Sequence, residues 1–378
     1  VAFFFFNFLD LSFLQSFDGW PKKDANQCGD RFLSDRIADI ISKVKIAVDA
    51  MGGDNAPQCV VGGAREALAD FSYIDELVLV GDEPALKAEV DRIGLRDRRL
   101  TICHADEVVG MGESAVKAVR SKKKSSISIA CDLVKSGDCH ALVSAGNTGA
   151  AVAASTIKLR NLPGVERSGI ASPIPNEYGP CHIMDAGANV DAKASHLVQY
   201  AIMGSVYAAH MQGKERPVVG LMSVGVEDEK GSELTKEVFE MLKASSLNFC
   251  GNVEGHDLFE TELDVVVCDG FTGNVMLKTC EATAKIMFKW LKNEIMNSAI
   301  RQLGAMLSKG AFKATMARGS YETYGGSPLL GVNGICIIAH GSSSDRAMRN
   351  AIRVAAEAVR TEVNPHIQEE IAKHEIQK

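Results

Sequence analysis

Five short turns hold most of the residue types that could do chemistry. They are Met51-Gly52-Gly53-Asp54-Asn55, Ser144-Ala145-Gly146-Asn147-Thr148-Gly149, Asp185-Ala186-Gly187-Ala188-Asn189-Val190-Asp191, Val224-Gly225-Val226-Glu227-Asp228-Glu229-Lys230-Gly231 and Asp269-Gly270-Phe271-Thr272-Gly273-Asn274. Each follows a run that reads as a strand. Glycine lets backbone N–H groups close on an anion, and a helix beginning just afterwards adds the positive end of its dipole. A single such turn means little, because glycine is ordinary turn punctuation. Five on one sheet edge predict a polar pocket suited to phosphate and carbonyl oxygens.

Within these turns, Asn147, Thr148 and Gly149 open a helix and are candidates to hold an anion. Capping the helix is the competing role, which Asn and Thr fill well. Asp269, Thr272, Gly273 and Asn274 repeat the situation. Lys278 lies one turn further on and could reach back to an anion or simply be solvated. Lys230, flanked by acids, could neutralise phosphate or an oxyanion, or be a loop charge. His340 follows an apolar strand and precedes Gly341; it could act as a general acid or be a structural histidine. His104 also follows a strand. Asp54 and Asp191 could orient cationic groups or cap helices. Lys230, His340 and Asn274 are the candidate catalytic residues.

Several chemistries are disfavoured. No turn matches GxGxxG or GxxxxGK[ST], which argues against a dinucleotide site or a P-loop. No GxSxG elbow is present. The ten cysteines form no CxxC pair and no Cys/His cluster with zinc spacing. Several sit in apolar runs, as Cys268 does, and read as buried thiols of a reducing compartment. A formal net charge of -7 argues against a general nucleic-acid binder.

The elements that must position these turns alternate regularly. From Lys45 onward the pattern is strand, Gly-rich turn, helix. Apolar strands are expected at 45–50, 77–82, 100–103, 140–144, 182–186, 217–222, 247–250, 264–268 and 334–338, and helices at 193–212, 232–244, 273–293 and 344–362. Alternation of this kind predicts a three-layer α/β/α sandwich, Rossmann-like, around a mainly parallel sheet, with ligands beyond the carboxyl ends of its strands. The 378 residues show no repeat and no Pro/Gly/Ser linker, so 44–378 reads as one domain.

Two segments stand apart. Residues 1–43 are rich in phenylalanine but lack a basic n-region and a small-residue cleavage site. They read as a leader outside the domain, with translation expected to begin near Val44. Residues 288–316 mix Trp290, Leu291, Ile295, Ile300, Leu303 and Leu307 with Lys and Arg. This helical arm is suited to a membrane surface or a partner subunit; an ordinary amphipathic core helix is the plainer alternative.

The run Ile46-Ala47-Val48-Asp49-Ala50-Met51-Gly52-Gly53-Asp54-Asn55-Ala56-Pro57 resembles the bacterial phosphate acyltransferase family (PlsX). The resemblance continues through His104-Ala105-Asp106, residues 144–150, Gly187-Ala188-Asn189-Val190-Asp191, residues 197–205, residues 269–278 and Ala339-His340-Gly341-Ser342-Ser343. It covers the chain from about residue 44. One departure is Glu113-Ser114-Ala115, where relatives often carry a proline after the glutamate, and it is expected to loosen a local turn.

The resemblance implies a reaction in which acyl-[acyl carrier protein] and phosphate give acyl phosphate and free carrier. The acyl phosphate would feed a membrane glycerol-3-phosphate acyltransferase, at the entry to phospholipid synthesis. It implies a cytoplasmic homodimer, peripherally associated with membrane, without metal or organic cofactor. It also implies a fold akin to phosphotransacetylases and isopropylmalate-type dehydrogenases. Phosphate is itself a competent nucleophile, so the protein's task would be positioning and oxyanion stabilisation. On this reading Asp54, Asn147, Thr148, Gly149, Asn189, Asp191, Asp269, Thr272, Gly273 and Lys278 would bind substrate or phosphate. The basic run Arg120, Lys122, Lys123 and Lys124 would dock an acidic carrier protein, although such runs are commonly solvated helix faces. The alternatives are a phosphotransacetylase acting on acyl-coenzyme A, a decarboxylating dehydrogenase, and a non-catalytic membrane scaffold.

Overall fold

Short apolar runs closed by glycine or aspartate become strands, because residues of this kind pack on both faces of a pleated sheet. The computed structural model describes residues 44–319 and 321–376. The leader expected at 1–43 lies outside the described residues.

The strands are β1 (Val44–Asp49), β2 (Ile74–Gly81), β3 (Leu100–His104), β4 (Ala141–Ser144), β5 (Gly169–Asn176), β6 (Gly179–Met184), β7 (Val218–Met222), β8 (Asn248–Val253), β9 (Val265–Val267), β10 (Ser327–Leu330) and β11 (Ile335–Ile338). They form one 11-stranded sheet in the order β3-β2-β1-β4-β11-β10-β5-β6-β9-β7-β8. The helices are α1 (Gln58–Asp70), α2 (Glu83–Arg92), α3 (Ala115–Ser121), α4 (Ser126–Ser136), α5 (Thr148–Lys158), α6 (Ala194–Gln212), α7 (Glu233–Lys243), α8 (Asp257–Glu260), α9 (Gly270–Met296), α10 (Ala299–Leu307), α11 (Lys309–Gly319), α12 (Tyr321–Tyr324), α13 (Asp345–Arg360) and α14 (Val363–Ile376).

Side-chain alternation along the strands builds a core on each face. In β1, Ala47 joins one core while Ile46 and Val48 join another; in β9, Val266 opposes Val265 and Val267. Ala130 and Cys131 of α4 and Ala151 and Ala154 of α5 cover the first face. Val60 and Ala64 of α1, Met348 and Ala351 of α13, and Tyr200 and Met203 of α6 cover the second. Each fully buried aliphatic chain contributes on the order of 2 kcal/mol. The three-layer, mainly parallel architecture expected from the alternation is present.

The sheet departs from expectation at its centre. β10 and β5, both absent from the sequence reading, are antiparallel to their neighbours: β10 to β11 and β5, and β5 also to β6. The parallel block ending in β11 therefore runs opposite to the parallel block that begins with β6. The two blocks terminate at nearly the same level. Ile338 at the end of β11 pairs with Ser327, Met184 at the end of β6 pairs with Ala171, and the hydroxyls of Ser172 and Ser327 meet at 2.8 Å across the join. The five turns thus do not share one edge. Two belong to the first block and three to the second, and the carboxyl ends of the blocks face each other.

Helix α9 carries the chain away from the sheet. Gly270 and Gly273 are buried at its start, whereas α10 and α11 bury no residue. Ile300 and Leu307 are 84% and 81% exposed, which does not fit an ordinary core helix.

Candidate active site

A cleft of about 350 Å³ opens where the two blocks face each other. The first block contributes Thr148 and Gly149 from the start of α5, and His340 from the end of β11. The second contributes Gly187 beyond β6, and Asn274, Lys278 and Glu281 from α9. Ser172 and Ser327, on the antiparallel join, form part of the wall.

Each wall has a local cause. The Asn147 side chain caps α5 by accepting from Ala150 N at 3.0 Å, and its amide donates to the carbonyls of Met111 at 2.9 Å and Glu113 at 3.2 Å. The Asp269 side chain caps α9, accepting from Thr272 N at 2.9 Å and Thr272 Oγ1 at 2.6 Å. Two helix N-termini are thereby fixed at the cleft, with first-turn N–H groups that have no partner inside the helix.

A buried aspartate stands behind each block end. Asp49 accepts from Ser144 Oγ at 2.7 Å. Asp185 gathers the N–H groups of Ile170 at 2.9 Å, Gly187 at 3.2 Å, Ala188 at 3.0 Å and Asn189 at 2.7 Å. Burial pushes both carboxyls above their ordinary range, against the pull of these hydrogen bonds. Gly187, at φ +123, sits where a side chain would press on Asn274.

The ring of His340 is half-buried, and its Nδ1 lies 3.1 Å from Ser342 N and 2.8 Å from Ser342 Oγ. Burial lowers its pKa; Lys278 and Lys285 act in the same direction, and Glu281 and Asp54 oppose them. Lys278 Nζ pairs with Glu281 Oε2 at 2.9 Å. The Asp54 backbone N–H donates to Gly341 O at 2.8 Å, which fastens the first turn to the His340 turn.

The structure therefore gathers Thr148, Gly149, Asn274, Lys278 and His340 around one cleft, while Asp54 lies outside the wall and is tied by its backbone to the His340 turn. It gives other candidates different roles. Asn147, Asp269 and Thr272 cap helices, and Gly273 packs on the Asp185 carbonyl oxygen. Asn189 turns its amide away, donating to Ser168 O at 2.6 Å and Tyr200 Oη at 2.7 Å. Asp191 is exposed and outside the cleft wall. Lys230 is exposed in the turn after β7, also outside the wall. His104 bridges Glu83 N at 3.2 Å and Asp106 Oδ1 at 3.0 Å, a structural placement.

In the basic run, Lys122 Nζ is held by Val108 O at 2.8 Å and Glu113 Oε1 at 2.6 Å, and Lys124 Nζ by Asp106 Oδ2 at 3.0 Å. Arg120 and Lys123 are exposed. Glu113 Oε1 also accepts from Gly110 N at 2.8 Å, so the turn expected to be loose is pinned at both sides.

Sequence reasoning missed Asp49, Asp185, Ser172, Ser327 and Glu281. The repeated Asp-Ala pair at the end of two apolar runs, Asp49-Ala50 and Asp185-Ala186, was the available signal for the first two. Glu281, three residues after Lys278, lies on the same helical face. Nothing in Ser-Pro marks Ser172 or Ser327.

The fold and cleft define an α/β protein of the architecture seen in phosphotransacetylases. A phosphotransacetylase from Streptococcus pyogenes superposes with a TM-score of 0.57 at 16% identity, over 84% of this chain and 94% of that one. A phosphotransacetylase from Staphylococcus aureus gives 0.54 at 15% identity, again over 84% and 94%. At such identities the likeness speaks to fold alone. The family described as "Fatty acid synthesis protein" matches residues 44–366. The phosphate acyltransferase of Akkermansia muciniphila is 57% identical over 336 residues, covering 87% of this chain and 96% of that protein. That of Trichlorobacter lovleyi is 47% identical over 331 residues, covering 88% and 95%. The chain belongs to the phosphate acyltransferase family and is an enzyme. Among the described residues no helix is long and apolar enough to cross a membrane.

Proposed function

We propose that the protein transfers a fatty acyl group from the thioester of an acyl carrier protein to inorganic phosphate, giving acyl phosphate and free carrier. One observation carries this reading within the family. The cleft joins two helix N-termini, the ammonium of Lys278 and the imidazole of His340, and it presents no nucleophilic cysteine among its lining residues. Anion binding and oxyanion stabilisation are the tasks such a set can perform. Phosphate supplies the nucleophile, so no acyl-enzyme is needed. The two substrates react directly, held in contact by the opposed block ends.

Around this chemistry we place a cytoplasmic homodimer in peripheral contact with the membrane. Its acyl phosphate product would pass to a membrane glycerol-3-phosphate acyltransferase. The reaction as written needs no metal or organic cofactor, and nucleic acid has no part in it. The exposed apolar face of α10 supports contact with lipid or a second subunit.

The test is acyl phosphate formation by the full chain, trapped with hydroxylamine, with long-chain acyl carrier protein and acyl-coenzyme A offered separately. Product from the carrier protein supports the proposal. The shared fold of the phosphotransacetylases favours coenzyme A as the rival donor, and product from coenzyme A alone would replace the proposal with that reading. No product from either would remove both.

A further inference from the structure

We infer that the hydroxyls of Ser172 and Ser327 act together as one neutral anchor for the phosphate substrate, on the floor of the cleft. The inference deepens the acyl-transfer reading above and rests on it.

The sheet register aims both side chains into the cleft. Ser327 of β10 pairs with Ile338 of β11, and Ser172 of β5 pairs with Ile183 of β6. Between β5 and β10, Ile170 pairs with Leu329 and Gly169 with Leu330. Carrying that antiparallel register two residues further sets Ser172 opposite Ser327. One row therefore crosses four strands as Ile338, Ser327, Ser172 and Ile183, and residues opposite one another share a face. Ile338 and Ile183 belong to the core of the first face, as do Ile170 and Leu329, two residues along from the serines; Ala171 and Leu330 belong to the other face. Ala151 and Ala154 of α5, and Met276 and Leu277 of α9, pack on that same first face. The two serines thus lie on the sheet between the helix starts that bound the cleft, and both line it.

A proton is left over. The hydroxyl oxygens are 2.8 Å apart, so one hydroxyl donates to the other. The accepting hydroxyl keeps its own proton. Among the described residues, neither serine side chain has another hydrogen-bond partner to take it. Ser172 is 4% exposed, so the spare donor is left to whatever occupies the cleft. A tie between the strands would need only the shared proton.

Phosphate is the substrate that fits this position. It is small and free, whereas the thioester is tethered to a protein and must enter from the open side. Isoleucines flank the pair in its row, and a neutral donor there binds an oxygen without adding a buried charge. Charge is balanced from the walls, by two helix N-termini and Lys278. A phosphate with one oxygen on the serine pair keeps another free to face the thioester carbon above it.

The experiment follows phosphate in two ways on the full-length protein: KM in acyl phosphate formation with saturating acyl carrier protein, and affinity for inorganic phosphate by phosphorus NMR titration. Each single alanine variant keeps one hydroxyl, which can turn to the phosphate by itself. Ser172→Ala and Ser327→Ala should therefore each raise KM by no more than about threefold. The double variant Ser172→Ala/Ser327→Ala removes both donors. It should raise KM and the phosphate dissociation constant about tenfold or more, with kcat at saturating phosphate lowered by less than about threefold. Together the two changes should exceed the product of the single effects, as a shared donor requires. Ser172→Thr/Ser327→Ala restores one hydroxyl and should return KM to the level of Ser327→Ala. If the double alanine variant does not fold, Ser172→Cys/Ser327→Ala fills the space with a weak donor and should raise KM above that of Ser327→Ala.

Urea unfolding of each variant separates binding from a purely structural role. Lowered stability with the parent's KM and dissociation constant would make the pair a strand tie and overturn the inference. A fall in kcat with KM unchanged would do the same, by placing the contact on the oxyanion. Absence of acyl phosphate from any donor would sink the acyl-transfer reading, and the phosphorus titration then decides the anchor separately: weaker binding by the double variant retains it, and equal binding removes it.

Discussion

The α-carbon of Gly273 lies directly against the carbonyl oxygen of Asp185, so closely that a β-carbon there would collide with it. This contact seats the first turn of α9 on the end of β6. The same aspartate's carboxylate gathers the N–H groups of the following turn and of Ile170 at the start of β5. One residue pair therefore fixes the helix N-terminus, the turn and the antiparallel join relative to one another. Gly273→Ala should force α9 off the strand and cost at least about 2 kcal/mol, as overpacking against unyielding backbone does. The measurement is urea unfolding. Acyl phosphate formation should fall further than stability alone explains, since Asn274 and Lys278 ride on the displaced helix.

The pattern of apolar runs made the parallel blocks legible, because β1, β2, β4 and β9 are apolar runs that end in glycine or aspartate or reach one within two residues. It concealed the join between them. β5 contains Pro173 and Pro175, and β10 is four residues with Pro328. Proline demotes a run when only the sequence is in view. In the structure these strands are what turn one block against the other, so the five turns were legible but their arrangement was not. The candidate site shows the same limit. Asn147 and Asn189 carry an amide that can face a ligand or the protein, and spacing does not distinguish the two. Their partners are Met111 O and Glu113 O for one, and Ser168 O and Tyr200 Oη for the other. Each is distant in sequence.

The basic run divides into two pairs. Lys122 and Lys124 are occupied by Glu113 and Asp106, while Arg120 and Lys123 are exposed. Replacing Arg120 and Lys123 with Gln should raise the apparent KM for acyl carrier protein about three- to tenfold at low salt and flatten its salt dependence, with kcat preserved. Steady-state kinetics at several ionic strengths would check this. Lys122→Gln is a poorer probe, because it also releases the Glu113 clamp. An unchanged KM across salt would remove this face as the docking surface.

Ile300, Leu303 and Leu307 recur at helical spacing on α10, with exposures of 84%, 57% and 81%. Replacing Leu303 and Leu307 with Glu removes no buried contact and should shift unfolding by no more than about 0.5 kcal/mol. It should abolish co-sedimentation with anionic phospholipid vesicles, since each glutamate opposes insertion and the surface charge together. A fall in solution mass instead, with vesicle binding intact, would assign this face to a second subunit.

His182 gives a pH dependence whose sign is fixed by burial. The ring is 5% exposed, bonded to Gln212 Nε2 at 2.9 Å and edge-on to Tyr207 at 5.2 Å between centroids. Burial pushes its pKa down to about 4 from an ordinary 6.5, although Asp264 pulls the other way. Above 6.5 neither the folded nor the unfolded chain protonates this ring, and its neutral packing is retained in full. As pH falls below that value, the unfolded chain binds a proton that the folded chain refuses, so stability declines until about pH 4 and then levels off. At about 1.4 kcal/mol per pH unit, the decline amounts to about 3 kcal/mol. His182→Gln should lower stability at neutral pH, because the imidazole's packing on Tyr207 is lost. It should also flatten the slope between these values by about that amount. Urea unfolding of both proteins at about pH 7 and about pH 4.5 separates the two effects. Equal slopes would mean that His182 is protonated in the folded chain, and the acid sensitivity would then have to come from carboxylates that their partners hold below the ordinary range, such as Asp97 beside Arg99 and Glu113 beside Lys122.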